Sequence, residues 1–154
     1  MKQAFPYKIT VKLPGDLEIV PSVRKYISET LAACGFSTKF VFRSEIIIDE
    51  ICNNAISFGC GGDTDKEIEL CCEIHEDRME MLVKDRGGSQ MHTDRLKEAV
   101  SKNRLGLPIE YEDSRLGLEI VKLLSETIEF NVDENNVTSI HAVRRREEAI
   151  SQAS

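Results

Sequence analysis

Apolar and charged residues alternate through YKITVKLP, where Ile9, Val11 and Leu13 share one side. Period two is that of a half-buried strand. The period then lengthens: Leu17, Val20, Val23, Ile27 and Leu31 recur at helical spacing in DLEIVPSVRKYISETLAACG. Pro21 suits the first turn of that helix and Gly35 its stop. A second helix runs from Ser37 or Thr38 to Phe58 and gathers Ile47, Ile48, Ile51, Ala55 and Phe58 on one side. GCGGDTD is a turn or loop. KEIELCCEIHED and RMEMLVKDRGG read as a strand pair joined by a tight turn near Glu76 and Asp77. Strand signals vanish from Gly87 to Asp113, where TDRLKEAVSKNR has the pattern of a short helix capped by Thr93 or Asp94. RLGLEIVKLLSETI is a helix with Leu116, Ile120, Leu123 and Leu124 inward, and TIEFNVD and NVTSIHAVRR close the chain as a hairpin.

The order strand, two helices, two strands, loop, helix, two strands predicts an α+β fold. It is a two-layer sandwich, with a mixed, mainly antiparallel sheet and the helices on one face. One domain spans 1–146, and the polar stretch 147–154 is a fraying tail. The 154 residues suit one core, and a net charge of −7 argues against a dedicated nucleic-acid binder. No run approaches the roughly 20 apolar residues that cross a bilayer. The N-terminal stretch has no apolar signal core, so a cytoplasmic protein is expected. Five cysteines without a C-x-x-C pair read as small buried hydrophobes, with Cys71 and Cys72 on opposite faces of a strand.

Three stretches carry polar groups that packing alone does not explain. In IIIDEICNNAISFG, Glu50 and Asn54 stand four apart, on one helix face. A carboxylate there can orient or deprotonate a hydroxyl, and an amide oxygen can coordinate a hard cation such as Mg²⁺; a water-facing helix side is the plainer alternative. VKDRGG ends a strand in Asp85, followed by Gly87 and Gly88. The acid can accept a hydrogen bond from an exocyclic amine, and the glycines let backbone pass close to a flat ligand; an ordinary turn would look the same. In SRLGLEIVKLL, Gly117 lies at a helix start, where free N–H groups favour an anion, and Arg115 adds a charge suited to phosphate.

Taken in order, these stretches resemble the histidine-kinase-like (GHKL or Bergerat) ATPase superfamily, and within it the anti-sigma-factor serine/threonine kinases, or switch kinases. DEICNNAISFG is similar to the N box, VKDRGGS to the first glycine box, SRLGLEIVKLLSETIEF to the second and VTSIHAVRR to the closing strand. The resemblance implies ATP and Mg²⁺ as cofactors. It implies Glu50 as catalytic base, Asn54 on Mg²⁺, and Asp85 on the adenine amino group. Gly87 and Gly88 would lie beside the base, and Thr138 near adenine. Arg115, Leu116, Gly117 and Leu118 would meet the phosphates. The implied partners are a sigma factor and a STAS-type anti-anti-sigma protein, with a homodimer plausible from the N-terminal strand.

The chain departs from the family pattern at Phe58, Ser89, Asp113, Arg115 and Val137. Arg115 replaces the first glycine of a G-x-G. Two rival readings follow: a degenerate module that binds partners without phosphate transfer, and the stand-alone ATPase domain of a two-component kinase.

Overall fold

The computed structural model describes residues 5–60, 65–85, 113–133 and 137–146. The expected helix near Thr93, together with Gly87, Gly88 and Ser89, lies outside the described residues. Strand β1 (Tyr7–Pro14) leads through a 3₁₀ turn (Leu17–Ile19) into α1 (Val20–Ala33), and α2 (Thr38–Asn54) follows. Strands β2 (Glu67–Ile74) and β3 (Arg78–Asp85), helix α3 (Asp113–Leu124), and strands β4 (Thr127–Val132) and β5 (Thr138–Arg145) complete the order.

Local chemistry sets these boundaries. Asp16 accepts a hydrogen bond from the Glu18 N–H at 3.0 Å and caps the 3₁₀ turn. That turn holds Leu17 out of the α1 stripe, so Leu17 is 49% exposed and Ile19 packs against the core instead. Pro21 falls at the second residue of α1, where a missing N–H costs nothing. Gly35 ends the helix at φ +90°, a conformation glycine adopts without strain. The Ser37 hydroxyl caps α2 by accepting from the Phe40 N–H at 3.1 Å.

The sheet order is β1-β2-β3-β5-β4, and every described pairing is antiparallel. One sheet face is apolar in strict alternation: Leu70, Cys72, Met79, Met81, Val83 and Ile140 are buried. Ile27, Leu31, Ile47, Ile48 and Ile51 of the helical layer close the same core. α1 and α3 both pack on α2. Among the described side chains of α3, Val121 is buried, whereas Leu123 is 68% exposed. At 3.6 residues per turn the two lie on nearly opposite sides of the helix, so the inward stripe runs through Val121 rather than Leu123. All five cysteines are free thiols, four of them buried. Burial pushes Cys52 and Cys72 up to about 12, which keeps them protonated packing groups. No described helix is long and apolar enough to cross a membrane.

The C-terminal end of β5 is fastened by two arginines. The Arg146 guanidinium lies 3.7 Å from the Phe36 ring centroid. Phe36 meets Phe40 at 4.5 Å, and Arg144 stands 5.2 Å over Phe40. Arg144 Nη1 also donates to the Leu124 carbonyl at 2.6 Å, answering a carbonyl at the end of α3. Arg144→Met removes that charged donor and the contact with Phe40 while keeping most of the volume. The expected loss is roughly 2 kcal/mol in urea denaturation, with an unchanged slope. An unchanged midpoint would strip the pair of any stabilising role.

Candidate nucleotide site

The last turn of α2 holds Asn54, which is buried, with neither its amide oxygen nor its amide nitrogen partnered among the described residues. One turn earlier, the half-buried Glu50 carboxylate makes no hydrogen bond or ion pair among the described residues. Burial, and then the neighbouring Asp49, hold its carboxyl above the usual range. Asp49 is engaged elsewhere. Its Oδ2 accepts from Arg24 Nη1 at 2.6 Å, tying α2 to α1. The adjacent acids of the helix therefore divide: Asp49 is held in an ion pair, and Glu50 has no hydrogen bond or ion pair among the described residues.

Beyond Asn54 the helix widens into a π-turn, Ala55–Gly59, closed by the Cys60 N–H on the Ala55 carbonyl at 3.1 Å. Such turns are frequent at functional sites. This one brings Gly59 against the Asp85 carboxyl, so closely that a Cβ on Gly59 would lie 2.4 Å from Asp85 Cγ. Asp85 ends β3, flanked by Ile68 of β2 and Thr138 of β5. It is 5% exposed, and its Oδ1 has no described partner. Burial raises its pKa from 3.8 to about 6. Thr138 beside it is buried too.

The structure thus joins Asp85, Thr138 and Gly59 directly and links Asn54 to them through one π-turn. A cavity of about 510 Å³ opens at this end, lined by Gly59, Cys60, Ile68 and Asp85 among others. Among the described residues its lining does not reach Glu50, Asn54 or Thr138. Arg115, Leu116, Gly117 and Leu118 all fall within α3. Gly117 lies in the described part of that helix.

Gly59 is the residue that the sequence reading passes over. Its one local signal is a glycine closing an apolar helix, which reads equally well as a stop. Arg24 is equally silent, since its partner stands 25 residues away.

Chemically, Asp85 Oδ1 and the Asn54 amide oxygen, both without a partner among the described residues, suit a ligand amine and a hard cation respectively. The missing Cβ at Gly59 leaves the carboxyl its space. These features fit a nucleotide with its metal.

Comparison with known proteins agrees with that fit. A family model described as a histidine kinase-like ATPase domain matches residues 13–141. The chain is 28% identical over 142 residues to a serine-protein kinase RsbW of Bacillus cereus, covering 92% of this chain and 88% of the relative. It is 26% identical over 147 residues to the enzyme of that name from Bacillus licheniformis, covering 96% and 91%. Its fold is similar to one in the crystal structure of the SiaB-SiaC complex from Pseudomonas aeruginosa, with a TM-score of 0.69, 13% identity and 88% of each chain covered. It is also similar to the RsbU and RsbW domains of a Mycobacterium tuberculosis protein, with a TM-score of 0.62 and 16% identity over 90% of this chain. There the chain spans about a third of its relative's length, 32%. At those identities the structural likenesses establish the α+β fold alone. On the family match over most of its length, the chain belongs to the histidine kinase-like ATPase domain family.

Proposed function

We propose that the chain is an ATP-binding serine/threonine protein kinase of the anti-sigma type. In this reading it sequesters a sigma factor, or binds a STAS-type anti-anti-sigma protein and phosphorylates a serine or threonine on it. Residues 1–146 form the ATPase domain, the protein works in the cytoplasm, and its N-terminal strand pairs two copies into a homodimer. The observation that carries the reading is the pair of buried side chains, Asn54 and Asp85, with polar atoms unpartnered among the described residues. The names of the relatives supply the reaction class.

Bound ATP with Mg²⁺ would supply the transferable phosphoryl group and a neutralising charge. On the protein side, Asp85 accepts from the adenine amine, with Thr138 beside it and Gly87 and Gly88 against the base. Asn54 offers its amide oxygen to Mg²⁺. Glu50 orients the substrate hydroxyl and takes its proton on a carboxylate oxygen; burial raises its proton affinity towards what a general base needs. Arg115 and the backbone N–H groups of Leu116, Gly117 and Leu118 steady the phosphate charge. Most of this catalysis is positioning and electrostatics.

One sequence observation favours a second reading, a module that binds without transferring phosphate: Arg115 stands where the family has glycine. Calorimetry and transfer assays separate the two. The expected result is that Asn54→Ala weakens ATP binding about tenfold with Mg²⁺ present and little in EDTA, and that the parent protein phosphorylates a STAS protein. Equal losses with and without Mg²⁺ would remove Asn54 from the metal. ATP binding without transfer would favour the second reading.

A further inference from the structure

Resting on the nucleotide reading above, we infer that Gly59 is a positioning residue: the side chain it lacks lets the Asp85 carboxyl sit at its buried depth, and so sets which purine edge the site accepts.

The nearest obstacle to a side chain at Gly59 is one neighbour. Gly59 does not lie in the left-handed region of backbone space, so alanine is compatible with its conformation and raises helix propensity. Its cost arises elsewhere. A Cβ at this position would stand 2.4 Å from Asp85 Cγ, 2.6 Å from Oδ1 and 2.8 Å from Oδ2. The three nearest heavy atoms therefore all belong to one carboxyl group. Carbon atoms pack at about 3.5–4.0 Å, so that group and the new methyl cannot share the space.

Which part yields is decided by what holds each backbone. Asp85 is paired on both sides, with Ile68 of β2 and Thr138 of β5. Gly59 is held by the π-turn through the bond from the Cys60 N–H to the Ala55 carbonyl. Both backbones are tied, whereas the carboxyl turns on one side-chain torsion and no described group partners its Oδ1. In Gly59→Ala the carboxyl leaves its place and the fold stays.

The consequence for ligand choice follows from hydrogen-bond polarity. A carboxylate only accepts. At its present depth it favours a purine with an amino group on the facing edge and opposes one with a carbonyl there, lone pair against lone pair. Moved aside, it no longer distinguishes the two. A role confined to packing would weaken both nucleotides alike.

The test compares the full chain with Gly59→Ala, using ATP as the amino purine and ITP as the oxo purine, each with Mg²⁺. Titration of the Asp85 carboxyl carbon by NMR, without nucleotide, gives a second readout. The expected result is a loss of about tenfold in ATP affinity with ITP affinity little changed, the size of one lost charge-assisted hydrogen bond. The Asp85 midpoint should fall from about 6 towards the ordinary aspartate range as the group regains water. An unmoved midpoint would overturn the positioning role. A moved midpoint with neither affinity altered would overturn the nucleotide reading and the selectivity with it, leaving only the contact. Should Gly59→Ala melt too low to titrate, the pair Gly59→Ala/Asp85→Ala decides. If the methyl opposes only the carboxyl, its effect on Tm disappears in the Asp85→Ala background; an equal effect in both backgrounds would overturn the proposal.

Discussion

Asp85→Asn is expected to make the nucleotide-free protein more stable at neutral pH and its grip on ATP weaker. Both effects arise from burial of one carboxylate. Desolvation raises the Asp85 pKa from 3.8 to about 6, so the folded state holds a proton through a pH window in which the unfolded chain has released it. Stability therefore declines as pH rises through that window, and above it the folded protein carries the whole cost of a buried charge. For a shift of this size the cost is roughly 2–3 kcal/mol. Asparagine has nearly the same shape and no charge, so the variant's Tm should exceed the parent's at pH 7, with the gap closing below about pH 4. Asparagine is also a poorer acceptor, and ATP affinity should fall about tenfold or more. In the parent, ATP affinity should itself decline as pH drops through about 6, whereas in the variant it stays flat. Thermal melts and calorimetry across pH 4–8 measure all of this. A variant less stable at pH 7 that binds ATP like the parent would remove Asp85 from the proposed purine site.

Glu50→Gln should separate binding from chemistry. If Glu50 takes the proton of the substrate hydroxyl, its replacement lowers the transfer rate by about 10²–10⁴-fold and leaves ATP affinity nearly unchanged. Single-turnover transfer of labelled phosphate to a STAS protein reads the rate. An unaltered rate would take the role of base away from Glu50. Folding offers an internal check. Burial and the adjacent Asp49 both hold the Glu50 carboxyl above its usual range, so its charge opposes folding at neutral pH and glutamine should stabilise the fold.

The strands are legible in the sequence because one buried face imposes a period of two. Ile9, Val11 and Leu13 can be placed on one side without any knowledge of what covers them. The helical stripes are legible only in outline. Leu17 and Leu123 have the right character and miss the core, one held out by the Asp16-capped turn and the other facing away from Val121. An apolar residue announces a preference, and the angle at which it meets the core belongs to the capping and packing of its neighbours. The site divides the same way. Asp85 at a strand end and Glu50 with Asn54 on a helix face are visible as types and spacings. The depth of Asp85 is not, because Gly59 and Thr138 come to it from other elements. Nor is the loss of Asp49 to an ion pair with Arg24.

The two ends of β5 differ in how they are finished. At the Arg144 end, Arg144 satisfies a helix-terminal carbonyl, and its guanidinium and that of Arg146 pack on two phenyl rings. At the Thr138 end, the neighbouring polar atoms of Asp85 and Asn54 wait on something from outside the described chain. On the nucleotide reading, a ligand that supplies a donor and a cation adds order at that end, and mass action converts its concentration into rigidity there. A protein partner resting there could then read nucleotide state as stiffness, with no large rearrangement of the sheet.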